Sequence, residues 1–157
     1  MNTRQHLTEK QSEFNTDYTK RQEAIDFATF KREVERLAPR VSVNDTQAGS
    51  RYDAETWSER NGKSFIEIKS RDARMHQYPD WYINKGKYDW LRANTDRGII
   101  VFLMTDGWAW YRIEDGVEWP ERWCKVMNKN EGECMELNYL IPEHKLHYYG
   151  YVDSVPF

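Results

Sequence analysis

Two neighbouring segments of the chain, residues 51–57 and 64–71, alternate between apolar and polar side chains. In the second segment two isoleucines point to one face while Glu67 and Lys69 point to the other, which is the period-two pattern of a β-strand. An Asn-Gly pair lies between the segments and favours a turn. The pattern therefore predicts a β-hairpin over residues 50–71.

The length of the turn decides which side chains of this hairpin meet, because a slip of one residue moves a side chain to the opposite face. A two-residue loop would place Asp53 on the opposite face from Glu67. A three-residue loop with Gly62 in a left-handed conformation instead places Asp53 directly across from Lys69. By the same register Glu55 faces Glu67. We expect the three-residue loop, which gathers three carboxylates and one ammonium on a small patch.

Further segments show helix or strand patterns around the hairpin. Apolar residues recur at helical spacing between a Thr-x-x-Gln capping box and a proline, which predicts a helix over residues 19–37. A continuous apolar run at residues 99–104 predicts the central strand of a sheet, buried on both faces. The remaining predictions are a short strand over residues 41–44, a second helix over residues 81–95 and a strand nearer the sheet edge over residues 108–113.

The charged face of the hairpin has the composition of a metal site. Carboxylates a few ångströms apart repel each other unless a cation lies between them. Mg²⁺ prefers oxygen ligands and keeps several waters, so Asp53, Glu67 and the backbone carbonyl of Ile68 could hold it beside a phosphate. Lys69 is then placed to orient an attacking water and to stabilise charge that develops on phosphorus. The alternative is an ordinary solvated strand face, but such a face has no need to align acid with acid.

The spacing of these residues resembles that of the PD-(D/E)XK nuclease superfamily. Asp53 is followed after thirteen residues by Glu-Ile-Lys at residues 67–69, and Tyr52 stands where the nominal proline would be. The resemblance covers residues 19–113. It implies an α/β fold with a restriction-endonuclease-like αβββαβ core, in which a central mixed sheet is flanked by helices. It also implies a hydrolase that cuts phosphodiester bonds, most consistent with DNA, with Mg²⁺ or Mn²⁺ as cofactor.

The resemblance also implies roles for side chains on the two predicted helices. In this superfamily the first core helix often lends a glutamate to the metal site, which points to Glu33, with Glu23 and Asp26 as alternates if the helix has another phase. A lysine on the second helix often reaches a phosphate, which points to Lys87. Each residue has an ordinary alternative, since Glu33 could simply bound the core and a lysine on a helix often extends to water.

Arginines follow the hairpin directly. Arg71 and Arg74 lie beside the predicted site, where they could bind the nucleic-acid backbone or merely be solvated. DNA is the expected partner, RNA remains open as a substrate, and a homodimer would suit paired cuts on a duplex.

The length of 157 residues suits one domain. We expect a polar N-terminal arm over residues 1–18 and a nuclease-like domain over residues 19–157. Within that domain the core spans residues 19–113. Residues 114–157 form an aromatic, acidic extension in which glycines and prolines are expected to break any long element.

Charge and hydropathy limit the class of protein. The net charge of −3 argues against a non-specific nucleic-acid coat protein but allows an enzyme with a local basic groove. Residues 1–100 hold 18 Lys and Arg against 16 acids, whereas residues 101–157 hold 5 against 10, so a phosphate-binding surface is expected in the first part. No apolar run reaches membrane-spanning length and no apolar signal region opens the chain, so we expect a cytoplasmic protein without membrane contact.

Two alternatives remain open from the sequence. Cys124 and Cys134 could form a zinc site with His144 and His147, but their spacing matches no established zinc-binding pattern. We therefore expect the two cysteines to be reduced thiols. A nuclease-like fold could also bind nucleic acid or a partner protein without cutting it. Such a binding module should function without Asp53 or Glu67.

Overall fold

A computed structural model of the chain describes residues 9–47, 49–128 and 132–152. These residues form a mixed α/β structure with a six-stranded mixed sheet, a three-stranded sheet and two α-helices. In chain order the elements are α1 (Glu9–Leu37), β1 (Ser42–Asp45), β2 (Ala54–Ser58), β3 (Gly62–Ser70), β4 (Asp80–Asn84), α2 (Lys85–Asn94), β5 (Gly98–Leu103), β6 (Gly107–Arg112), β7 (Glu121–Asn128), β8 (Gly132–Pro142), a 3₁₀ turn (Glu143–Lys145) and β9 (His147–Gly150).

The six-stranded sheet has the order β1-β2-β3-β5-β6-β9. Strands β3 and β5 run parallel, and the other neighbours are antiparallel. Because successive strand residues point to opposite faces, the sheet supports two apolar cores. On one face α1 contributes Phe30 and Val34 to a core with Ile66 and Val101. On the other face α2 and the three-stranded sheet, of order β4-β8-β7, cover Phe102 and its neighbours.

Strand β5 is the central strand that the continuous apolar run predicted. It lies between β3 and β6, and Ile100, Val101 and Phe102 are fully buried. Strand β6 lies next to the edge, as predicted, and β9 pairs with its outer side. Gly107 permits that pairing, since a Cβ at this position would lie 2.4 Å from the carbonyl oxygen of Tyr149.

The hairpin of β2 and β3 forms with a register two residues away from the predicted one. Ser58 pairs with Gly62, so the connection consists of residues 59–61 rather than residues 60–62. Gly62 is left-handed, as expected, with φ of 69°. The Ser58 hydroxyl oxygen accepts the N–H of Asn61 at 3.1 Å, which stabilises the earlier turn.

This register changes the partners of the hairpin acids but not their faces. The N–H of Asp53 donates to the carbonyl of Ile66 at 2.8 Å, next to the pair of Ala54 and Ile66, so Asp53 does not lie across from Lys69. Glu55 pairs with Phe65 and not with Glu67, and the predicted set of three carboxylates is therefore wrong. A shift of two residues keeps the face of each paired side chain, and Asp53, which directly precedes β2, lies close enough to Glu67 for that charge to raise its pKa.

The segment predicted as a helix over residues 81–95 contains both a strand and a helix. In β4, Trp81 and Ile83 are buried while Tyr82 is exposed, which is the alternation of a half-buried strand. Helix α2 begins only after Asn84, whose side chain accepts the N–H of Lys87 at 2.9 Å as an N-cap.

The C-terminal segment contains a long strand that was not predicted. Strand β8 is 11 residues long and pairs with both β4 and β7. Gly132 and Pro142 stand at its two ends, so they bound the strand and do not interrupt it. Strand β9 completes the six-stranded sheet, although it lies in the segment that was placed outside the core.

Helix α1 begins ten residues before its predicted start and ends at Leu37, as predicted from the following proline. Residues 1–8 of the predicted polar arm lie outside the described residues. None of the helices in the described part of the chain is long and apolar enough to span a membrane.

Candidate active site

A cleft of about 990 Å³ opens beside the end of β3. Four parts of the chain line it, namely the middle of α1, the connection between β1 and β2, residues 67–70 of β3 and the first turns of α2. Its charged lining residues are Lys20, Glu23, Asp26, Asp45, Arg51, Asp53, Glu67, Lys69 and Lys87. The cleft thus contains most of the site residues predicted from the sequence.

Glu67 lies at the centre of the charged cluster. It is 1% exposed. Its Oε1 atom is 3.1 Å from the Nζ of Lys69 and 3.0 Å from the Nζ of Lys87. Lys69 reaches it from two residues along the same strand, whereas Lys87 comes from α2. A buried carboxylate is costly unless it is paired, and here two ammonium groups share one oxygen.

Asp53 is fixed at the start of β2, against β3. Its Oδ2 atom accepts the N–H of Ile68 at 2.7 Å. Since the N–H and C=O of one strand residue point to the same side, the carbonyl of Ile68 is also directed to the side of Asp53. Burial and, to a smaller extent, the negative charge of Glu67 together raise the pKa of Asp53 to about 6. The hydrogen bond from Ile68 and the two lysines act in the opposite direction.

The two lysines differ in their protonation behaviour. Burial lowers the pKa of Lys69 and outweighs the attraction of Glu67, and the positive charge of Lys87 lowers it further. Burial also lowers the pKa of Lys87, but the charge of Glu67 and the hydrogen bond to it together have the larger effect. The pKa of Lys87 is therefore raised. Lys69 is therefore the member of this pair that gives up a proton more readily.

Lys87 is positioned by the start of α2. Asn84 caps the helix and donates through its side-chain nitrogen to Glu136 of β8, so the cap is tied to the three-stranded sheet. The first turn of α2 lines the cleft, and the positive end of the helix dipole favours anions there. The sequence predicted that Lys87 would extend towards the site, and its contact with Glu67 agrees with that prediction.

Glu33 does not belong to the described lining of the cleft. It is 3% exposed and accepts a hydrogen bond from the Nη2 of Arg36 at 2.7 Å. Asp26 lies seven residues earlier on the same helix face, about 10 Å along the axis, and it lines the cleft together with Glu23. The cleft is therefore lined by the two alternates and not by Glu33, and the part of any of these acids in a metal site stays a prediction.

The two arginines after the hairpin also lie outside the described lining. The Nη2 of Arg71 donates to the carbonyl of Tyr82 at 2.7 Å, and its guanidinium lies 4.3 Å from the centre of the Tyr82 ring. Burial lowers the pKa of Arg71. Arg71 therefore joins the two sheets, while Arg74 is exposed on the following loop. The contact with β4 was not foreseen because β4 itself was predicted as helix.

Aromatic residues of the cleft were missed. Tyr52 and Trp90 both line it, with ring planes 24° apart and centroids separated by 6.3 Å. The guanidinium carbon of Arg51 lies 5.9 Å from the centre of the Trp90 ring. The signal was present in the sequence, since Arg51 and Tyr52 directly precede Asp53 and Trp90 follows Lys87 by one helical turn.

No protein-family model matches this chain. Nor does any curated protein match it significantly. Within residues 9–47, 49–128 and 132–152, no three or more His, Cys, Asp or Glu side chains are grouped so that they could hold a metal ion. The imagined zinc set is dispersed, with Cys124 on β7, Cys134 on β8 and the His147 ring stacked on Trp110. A functional assignment therefore depends on the geometry of the cleft.

Proposed function

We propose that the protein is a metal-dependent nuclease that uses Mg²⁺ or Mn²⁺ to hydrolyse the phosphodiester bonds of DNA. The observation that supports this most is the buried Glu67 beside Asp53, in contact with two lysines in a cleft open to solvent. Such a cluster costs folding stability, and strongly perturbed carboxylates and lysines concentrate at functional sites.

The topology supports the same proposal. The order α1, β1, β2, β3, α2, β5 agrees with the αβββαβ core implied by the resemblance to the PD-(D/E)XK superfamily, with β4 as an addition before α2. Strands β3 and β5 are parallel neighbours, and the connection between them contains α2. The acid-x-Lys motif thus lies on a central strand at the edge of a cleft.

The donor atoms at this place suit a hard divalent cation. Asp53 and Glu67 line the same cleft and interact electrostatically, and the backbone of Ile68 is directed to the side of Asp53. Mg²⁺ typically uses one or two carboxylates together with waters and substrate phosphate, so a cluster of three acids is not required. Asp26 and Glu23 face the same cleft from α1 and could add a water-mediated contact. A bound Mg²⁺ lowers the pKa of a coordinated water and offsets charge on the phosphate.

The remaining groups of the cluster act on the substrate in this proposal. Lys69 is held beside the carboxylates, where its ammonium donates to the attacking water or to a phosphoryl oxygen. Lys87 is half-exposed, so its flexible side chain can turn from Glu67 to a phosphate. The N-terminus of α2 adds positive potential at the same place.

Cleavage of a mixed nucleic-acid panel tests the proposal. Linear duplex, supercoiled circle, single strand, branched junction and RNA are each incubated with Mg²⁺, Mn²⁺ or chelator. We expect metal-dependent cutting that is lost in Glu67→Gln and retained in Glu59→Gln, the matched change of an exposed hairpin carboxylate outside the cleft. Absence of cutting by folded protein, with no rise of the melting temperature on adding metal, would contradict the proposal.

A binding module is the second candidate, and one observation favours it. Glu67 already has two ammonium partners, so the cluster is electrostatically satisfied by the chain itself. In that case Glu67→Gln would leave nucleic-acid or protein binding unchanged, and no metal would be needed. The same panel, measured by binding as well as by cutting, separates the two functions.

A further inference from the structure

One side of the cleft is an aromatic surface formed by Tyr52 and Trp90. The two rings are nearly parallel, and the exposed Arg51 extends its guanidinium over Trp90. Both aromatic side chains are partly buried, with part of each packed against the main core. A flat, anchored surface with a neighbouring cation is the arrangement on which unstacked nucleic-acid bases bind.

The aromatic surface is adjacent to the charged cluster on two elements. Tyr52 directly precedes Asp53, whose side chain is fixed on Ile68. Trp90 follows Lys87 by three residues on α2, so the two side chains lie on the same side of the helix, one turn apart. A nucleotide whose phosphate lies at the cluster would therefore have its base, or that of its neighbour, near Trp90.

The charges of the cleft indicate that phosphate contacts alone do not hold the substrate. Five acids line it against four basic residues, so without metal the cleft does not attract a polyanion strongly. A contact that does not depend on charge is needed for binding, and base stacking supplies one.

We propose that the cleft binds nucleic acid as an unpaired strand, with one base stacked on Tyr52 and Trp90 beside the scissile phosphate. The base faces of a continuous duplex are covered by their neighbours and cannot reach this surface. The substrate class is therefore a single strand, an overhang or an unpaired junction arm. This inference rests on the proposed nuclease function, which supplies the reason for a phosphate at the cluster.

The first test measures binding in chelator, so that no cutting occurs. A fluorescently labelled single-stranded DNA and the duplex of the same sequence are titrated with the protein, and anisotropy is followed. We expect the single strand to bind about tenfold more tightly than the duplex, and Trp90→Leu to lose about tenfold of that affinity, as expected for one stacked base. Trp57→Leu is the matched control, because Trp57 is 48% exposed and is not part of the cleft lining.

A second measurement needs no variant and therefore does not depend on the folding of Trp90→Leu. Single strands that carry one abasic position, moved along the sequence, are bound by the unchanged protein. We expect a loss of affinity at a restricted set of positions. Equal binding of duplex and single strand, no measurable binding of the single strand, or indifference to every abasic position would overturn the inference.

Cutting in Mg²⁺ is measured separately, so the two proposals can fail independently. If duplex and single strand are cut equally and Trp90→Leu changes neither rate, the nuclease function stands and the stacking inference falls. If nothing is cut but single strands bind through Trp90, the stacking inference stands and the nuclease function falls.

Discussion

Two buried glutamates of this protein, Glu33 on α1 and Glu67 on β3, are similarly exposed but differ in where their charged partners come from. Glu33 accepts from Arg36 one turn further along the same helix, so its partner is local. Glu67 is contacted by lysines from a strand and from a separate helix, and a second carboxylate lies beside it. Burial and ion pairing are therefore shared by both. Glu67 differs from Glu33 because charged side chains from several elements meet around it in an open cleft.

The largest effect is expected for the lysine on β3. Lys69→Ala should reduce kcat by about 10²- to 10³-fold, because a fixed charge beside the reacting phosphate is lost. Folding and the rise of melting temperature with Mg²⁺ should be largely retained. Lys63→Ala is a suitable control, since Lys63 contacts Glu55 on the same hairpin but outside the cleft. Full activity of Lys69→Ala would refute the assigned role.

The next largest effect concerns the stability of the metal-free protein. The pKa of Asp53 is raised to about 6, so the folded state binds this proton more tightly than the unfolded state. Stability should therefore fall as the pH rises from about 4 to above 6, by about 3 kcal/mol from this group. Asp53→Asn should remove the loss and be more stable than the unchanged protein at pH 7.5 in chelator.

Urea unfolding at several pH values measures this difference. The advantage of Asp53→Asn should vanish below about pH 3, where the carboxyl is protonated in both the folded and the unfolded state. Added Mg²⁺ should stabilise the unchanged protein more than the variant, because ligand binding favours the folded state. An Asp53→Asn protein that is less stable at pH 7.5 would show that the carboxylate is structural, as in the case of Glu33.

A smaller effect with the opposite sign is expected at Glu33. Glu33→Gln should destabilise the protein by about 1–3 kcal/mol, since a charged hydrogen bond of a buried group is weakened. Its activity should not change, because Glu33 is remote from the cleft lining. Denaturation and cleavage rates of the same preparation measure the expected loss of stability and the expected unchanged activity. A large loss of kcat with normal stability would show that Glu33 acts in the catalytic site.

The smallest effect is expected from the N-cap of α2. Asn84→Ala should cost about 1 kcal/mol of stability and raise KM more than it lowers kcat, because Lys87 is less well positioned. Asn94→Ala at the other end of α2 provides the control, since the Asn94 side chain donates to the carbonyl of Trp90 on its own helix and lies outside the cleft lining. Equal kinetic changes in both variants would indicate a general effect on the helix.

The comparison also explains which parts of the site could be predicted from the sequence. The alternation along β3 placed Glu67 and Lys69 on one face, because strand geometry is local. The register of Asp53 depended on where the turn closes, and a shift of two residues leaves the alternation unchanged. On α1 the periodicity gives an angle around the axis but no position along it, so Glu33 and Asp26 could not be distinguished.

Other misses have a common physical cause. A short apolar segment such as Trp81 to Ile83 is compatible with strand or helix until its partner is known. That partner is β8, which lies more than 50 residues away in the chain. Because strand pairing over such a distance is not encoded in local pattern, the three-stranded sheet and the burial of Arg71 against it were both missed.

The same chemical change can be made at the two buried glutamates, as Glu33→Gln and Glu67→Gln. The cleavage rates of the two variants in Mg²⁺ test whether Glu67, and not Glu33, belongs to the catalytic site. The substrate is the nucleic acid of the mixed panel that the unchanged protein cuts fastest, and the unchanged protein in chelator sets the background. We predict that the cleavage rate of Glu67→Gln falls to background while that of Glu33→Gln equals the rate of the unchanged protein. Equal cutting by both variants, or no metal-dependent cutting by the unchanged protein, would contradict it.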